Sequence, residues 1–176
     1  MRFKNINKGF TLIELLIVVT IIGIIAAIAV PGLLRARISG SEASAIGSLR
    51  AINSAMSAYA ASCGNSFYAP SLINLATPPA GGGDGFIGTD LSTDPSTKSG
   101  YIITLTVGPL SVGAPKSCNG LAAGAVASSY FVSASPLTGG GIRHFGTNQG
   151  GTIYFIAGAA VPITQHGAPA GANPIQ

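Results

Sequence analysis

The sequence predicts an α+β fold in which one long N-terminal helix crosses a membrane with its first half and packs its outer half on a four-stranded antiparallel sheet. Three observations carry that prediction. An apolar run, Phe10–Val30, follows a short basic leader; helical periodicity continues beyond it; and β-branched, aromatic segments recur in the second half of the chain. Charged residues make up only 8% of the 176, whereas a soluble domain carries about a quarter. The length suits one domain plus an anchor, with a modest core. The expected organisation is a leader over residues 1–9, a membrane and assembly helix over 10–31, its amphipathic continuation over 32–63, a head over 64–157 and a flexible C-terminal tail over 158–176.

The net charge of +4 is concentrated at the start. Arg2, Lys4 and Lys8 precede the apolar run, and beyond residue 9 six basic residues face five acidic ones, a formal charge of +1. No basic cluster remains to follow a phosphate backbone, so no nucleic-acid partner is expected.

Between Phe10 and Val30 the only polar residues are Thr11, Glu14 and Thr20. A helix of that length rises about 32 Å, enough to cross a bilayer core of about 30 Å. Two simpler readings compete. Ala27-Ile28-Ala29 resembles a secretory cleavage site, but a signal peptide has a shorter apolar region and no use for a carboxylate near its start. A plain signal anchor fits the length and the leader cations, although Arg35 and Arg37 on the far side weaken the charge asymmetry. Glu14 decides between these readings, because a carboxylate in a membrane helix costs about 2.5–3.5 kcal/mol and calls for a partner. Thr11-Leu12-Ile13-Glu14 matches a capping box, which explains the spacing but not its immersion in an apolar segment. A cut before Phe10 would place a new α-amino cation one helical turn from Glu14. The two could pair within one chain and lower the membrane cost, or between neighbouring chains and set their axial register. The second reading is preferred.

The stretch KGFTLIELLIVVTIIGIIAAIAVPGLLRAR resembles the N-terminus of type IV pilins and of the related pseudopilins of type II secretion. The resemblance covers about thirty residues, with Gly, Phe, Glu and Pro all in register. It implies cleavage between Gly9 and Phe10 by a membrane-embedded prepilin peptidase, and N-methylation of Phe10. It also implies assembly through Phe10 and Glu14 against an adjoining subunit, with a bend or local loosening of the helix at Pro31. The partners implied are other pilin subunits, the peptidase/methyltransferase and an inner-membrane assembly platform. The location implied is a single inner-membrane pass with the head outside the cytoplasm, then a surface pilus.

Past Pro31, residues Leu34, Ile38, Ala45, Leu49, Ile52, Met56 and Tyr59 recur at the spacing of one helix face, with Arg35, Glu42, Ser48 and Ser57 read as lying off it. That stripe is expected to pack on the head. The opposite face holds Ala36, Ser39, Gly40, Ala43, Ser44 and Gly47, small enough for helices to approach closely. Pro31 should bend the helix, and an end is expected near Ser62–Gly64. Residues 64–100 read as a long loop, with a short helix at Pro70–Leu75; the GGGDG run follows no strand and opens no helix, so a turn suits it better than a phosphate cradle.

Strands are expected at Tyr101–Val107, Ser129–Ser133, Ile142–Thr147 and Thr152–Ala157, joined as an antiparallel meander. With the helix on one face, this is the fold implied by the pilin resemblance. The segments FYAPSLINL and TDPSTKSGYIITL also resemble a bacterial pilin subgroup. The Asp-Pro-Trp-Gly signature of major pseudopilins is absent, since Asp94-Pro95 is followed by Ser96-Thr97. Cys63 and Cys118 either form a disulfide closing a long loop, which an extracytoplasmic compartment favours, or stay as free thiols. The pair is placed differently from the C-terminal disulfide loop of many pilins.

No enzyme activity, cofactor or metal is expected. His144 reads as a sheet-surface residue, His166 lies in the tail, and Asp84, Asp90 and Asp94 lack the spacing of a calcium loop. Two functions follow: a subunit of a surface fibre for adhesion, motility or DNA uptake, or a pseudopilin forming a periplasmic piston for protein export. Aromatics, at 7%, do not favour an electron-conducting fibre.

Overall fold

A computed structural model describes residues 9–175; the basic residues Arg2, Lys4 and Lys8 of the leader lie outside the described residues. The chain divides into two units, one ending at Arg37 and the other beginning at Ile38. Helix α1 (Leu12–Ser62) belongs to both and runs unbroken through Pro31. In the N-terminal unit every described residue is solvent-exposed, the apolar run included.

In the second unit, α1 buries Glu42, Ala45, Ser48, Leu49, Ile52, Ala55, Met56 and Tyr59. These recur at steps of three and four, which places them on one face. They meet the inward residues of an antiparallel meander made of β1 (Ser96–Lys98), β2 (Tyr101–Val107), β3 (Tyr130–Pro136), β4 (Arg143–Asn148), β5 (Ile153–Ala157) and β6 (Asn173–Pro174), in that spatial order. Tyr101, Ile103 and Leu105 of β2, Tyr130, Val132 and Ala134 of β3, Phe145 of β4 and Ile153 of β5 share the core with the helix. Full burial of Leu49, Ile52 or Met56 contributes about 1.5–3 kcal/mol each.

The four expected strands form the centre of this sheet; β2 has the expected bounds, and the ends of the other three lie within three residues of those expected. Two further edge strands make it six-stranded. β1 is three polar residues, held by a two-residue hairpin in which both Ser99 and Gly100 have positive φ (50° and 78°), the conformation that matches strand twist. β6 is two residues ending in Pro174, and only an edge tolerates proline. The short helix α2 (Leu72–Ala76) starts two residues later than expected. Ser71 is its N-cap and accepts from the Asn74 N–H at 3.1 Å.

The expected flexible tail is instead fastened to the sheet. Asn148, 2% exposed, donates through Nδ2 to the carbonyls of Thr164 and Gly167, both at 2.9 Å. The Ser129 hydroxyl donates to Gln165 Oε1 at 2.8 Å, and β6 returns the segment to the edge of β5. Val161 is buried over Gly146, where any Cβ would press on the Phe131 ring and on Val161 itself. Pro and Gly content suggested looseness; side-chain bonds to backbone carbonyls supply the order.

Glu42 and Ser48 are also corrections. Both lie on the buried face, because the spacing 42, 45, 49, 52 is helical whatever the polarity of the first residue. Burial is offset by partners. Glu42 Oε1 accepts from the N–H groups of Ile142 (3.2 Å) and Arg143 (3.3 Å), while Oε2 pairs with the Arg143 guanidinium at 2.8 and 2.6 Å. Burial pushes the Glu42 carboxyl up, but the hydrogen bonds from the Arg143 side chain and from the two backbone N–H groups outweigh it, so its pKa lies below the ordinary value. Breaking a fully buried pair costs about 3–5 kcal/mol; since the Arg143 side chain is 40% exposed, Glu42→Gln should cost about 2–3 kcal/mol in thermal or denaturant unfolding. The folded-state pKa is depressed, so the contribution is full above the unfolded value of about 4.3 and is lost as pH falls through the folded value. Stability of the wild-type chain should therefore fall more steeply below about pH 4 than that of Glu42→Gln. Parallel profiles would contradict this assignment.

Candidate functional site

The N-terminal segment concentrates the features that packing of the chain does not explain. Gly9 and Phe10 precede the helix and are exposed, Phe10 at 81%. Among the described residues a Cβ built on Gly9 meets nothing within 4 Å, so no described contact requires glycine there. The helix begins at Leu12 with Thr11 as its cap. The Thr11 N–H donates to Glu14 Oε2 at 2.9 Å, the Thr11 hydroxyl donates to the same oxygen at 2.6 Å, and the Glu14 N–H donates to Thr11 Oγ1 at 3.3 Å. This is a complete capping box. Glu14 Oε1 accepts no hydrogen bond among the described residues.

From Leu12 to Leu34 the large side chains are aliphatic and exposed, and Glu14 is the single charge. The helix is long and apolar enough to cross a membrane. The other polar side chain between Leu12 and Leu34, Thr20, bonds internally to the Leu16 carbonyl at 2.7 Å and costs a bilayer little. Glu14 differs: the capping box satisfies one oxygen and leaves a charge-bearing carboxylate in an apolar segment. Pro31 lies inside α1 without ending it. Lacking an N–H, it leaves the Ala27 carbonyl without its i→i−4 donor and loosens the helix locally.

In the second unit, Cys63 and Cys118 form a disulfide with a Cα–Cα separation of 4.7 Å. It joins the end of α1 to the loop between β2 and β3. The acidic residues do not gather: Asp90 pairs with Lys98, and Asp94 accepts from the N–H groups of Leu72 (3.5 Å) and Leu105 (3.3 Å). No group of three or more metal-binding side chains occurs among the described residues. His144 lies on β4 with Nδ1 3.3 Å from Ser135 Oγ, and His166 is exposed. The Glu42–Arg143 pair escaped the sequence reading; the helical spacing of Glu42 with Ala45 and Leu49 was the available signal.

Comparison with known proteins converges on the same segment. Residues 4–30 match the model of the prokaryotic N-terminal methylation motif. The chain is 45% identical over 58 residues to a type IV major pilin protein of Myxococcus xanthus, a match covering 33% of this chain and 26% of the relative. It is 75% identical over 28 residues to a type IV major fimbrial protein of Dichelobacter nodosus, covering 16% of this chain and 18% of the relative. A fimbrial protein of Eikenella corrodens is 71% identical over 28 residues, with the same coverage. The matched stretch thus spans about a quarter or less of these relatives' length. No solved structure gave a significant match.

Proposed function

We propose, from the premise that this N-terminal segment is that of a type IV pilin, that the chain is a structural subunit of a type IV pilus. It is made as a prepilin, cut between Gly9 and Phe10, methylated on the Phe10 amine and polymerised with copies of itself. The observation that carries this reading is the exposed apolar helix of the N-terminal unit, with a lone carboxylate at Glu14 and the methylation motif over residues 4–30. Such a surface needs lipid before assembly and other helices afterwards.

The partners that follow are a prepilin peptidase with methyltransferase activity, an assembly platform and further pilin subunits. Before assembly the helix spans the inner membrane once, with the head outside the cytoplasm, where Cys63 and Cys118 can oxidise. The cut frees the α-amino group of Phe10 near Glu14. We assign Phe10 and Glu14 to subunit register and Pro31 to the local flexibility that lets adjacent helices fit.

The test separates a pilus from a secretion piston. Surface fibres sheared from cells should contain this chain, and a deletion strain should lose them while still secreting its exported enzymes. Absence from sheared material together with failed secretion would overturn the pilus reading in favour of a pseudopilus.

A further inference from the structure

Among the described residues of the second unit the charged side chains are paired within the chain, with three exceptions. Glu42 pairs with Arg143, Asp90 with Lys98, and Asp94 with two backbone N–H groups. Among the described residues the side chains of Arg50, Asp84 and Lys116 make no ion pair or hydrogen bond.

Arg50 is exposed on α1 and is the single charge on its exposed face between Ser39 and Ser62. Its exposed neighbours on that face include Ala43, Gly47 and Ser54. Gly47 has open space where a Cβ would stand. Asp84 occupies the GGGDG turn at the edge of an open groove of about 430 Å³ walled by Ala76, Pro78, Gly85, Phe86 and Ile87. Despite its glycines, this groove has a fixed floor. Phe86 packs edge-on against Tyr59, with ring centroids 5.3 Å apart, and its N–H bonds the Leu75 carbonyl at 2.9 Å. At Gly85 a Cβ would collide with the Ala76 backbone, so glycine is what lets the turn close against the end of α2.

We propose that this groove receives the exposed face of α1 of a second copy of the chain, with Asp84 pairing with Arg50 of that copy. The proposal rests on the filament reading, since a repeating head-to-tail contact joins two different patches of one chain. One patch is a low-sided helix ridge with a single cation; the other is a groove of mixed lining, with Pro78, Phe86 and Ile87 beside Thr89 and a single anion at its rim. A guanidinium can meet a carboxylate through two parallel hydrogen bonds, which sets orientation as well as attraction. Arg35 and Arg37 belong to the N-terminal unit beside the membrane span and are not part of this ridge.

Charge exchange in the full-length chain tests the contact. Asp84→Arg and Arg50→Asp should each lower the filament recovered by shearing about tenfold, with the membrane-held pool and disulfide unchanged, and the double exchange should restore it to within about threefold of wild type. Wild-type assembly by either single variant would overturn the proposal. So would a double exchange as deficient as the singles, or rescue of Asp84→Arg by Lys116→Asp in place of Arg50→Asp. If the unmodified chain forms no filaments, it is the pilus reading that fails; filaments indifferent to these charges remove only this contact.

Discussion

Glu14→Ala should leave the chain in the membrane and lower sheared filament about tenfold or more, a loss equivalent to one contact of about 1.4 kcal/mol or better per subunit. Insertion should not suffer, because the substitution removes a group that costs about 2.5–3.5 kcal/mol in a membrane helix. The loss of the acceptor for the Thr11 N–H weakens the cap by about 1 kcal/mol, too little to unfold a helix continuing to Ser62. What disappears is the anion that a neighbouring subunit's amine can meet in a low-dielectric setting. Glu14→Gln separates cap from charge. It keeps an oxygen for Thr11 but no charge, so it should fail like alanine. Immunoblots of sheared and membrane fractions read both outcomes. Normal piliation by either variant, with cleavage at Gly9 unchanged, would contradict intermolecular pairing.

Removing the disulfide should have the largest effect on stability. The bridge closes a separation of 55 residues, for which chain entropy gives about 4 kcal/mol. It also anchors a loop that has little regular structure of its own. Beside it, the Tyr59 hydroxyl donates to Asn119 Oδ1 at 3.3 Å and Asn119 Nδ2 donates to the Asn74 carbonyl at 2.7 Å. The Cys118 N–H reaches the Cys63 carbonyl at 3.2 Å, and the Ala80 N–H reaches the Cys118 carbonyl at 2.8 Å. The helix end, the α2 region and the β2–β3 loop therefore meet at one place. The paired variant Cys63→Ser with Cys118→Ser should melt about 10 °C or more below wild type, measured on the full chain in detergent. A change under about 2 °C would show that the polar network alone holds the loop.

The parts of this molecule legible in its sequence are those where a residue's type and its position agree. Three of the four central strands, β2, β3 and β5, are rich in β-branched and aromatic residues, and Leu49, Ile52 and Met56 repeat with the helix. Polar residues in apolar positions are the exception: the polarity of Glu42 and Ser48 points to solvent, whereas their helical spacing places them on the buried face. Asn148 and Gln165 gave no signal at all, because a side-chain amide that fastens a distant segment leaves no periodicity. The same holds for β1 and β6, too short for alternation to register.

The proposed N-terminal site rests on the opposite kind of signal. Among the described residues no contact requires glycine at position 9, and a carboxylate at position 14 stands in an apolar segment, so the packing of the described chain accounts for neither. Geometry adds the capping box, which shows how Glu14 is held within the chain. It also shows that α1 continues through Pro31, so that proline is a weak point within the helix and not its end.

The most direct test of the account is the mass of the N-terminal peptide of this chain in sheared surface fibres. The account predicts a peptide beginning at Phe10 and carrying a methyl group on its amine, with nothing from residues 1–9. Fibres in which the chain retains those residues, or begins elsewhere such as after Ala29, would contradict it.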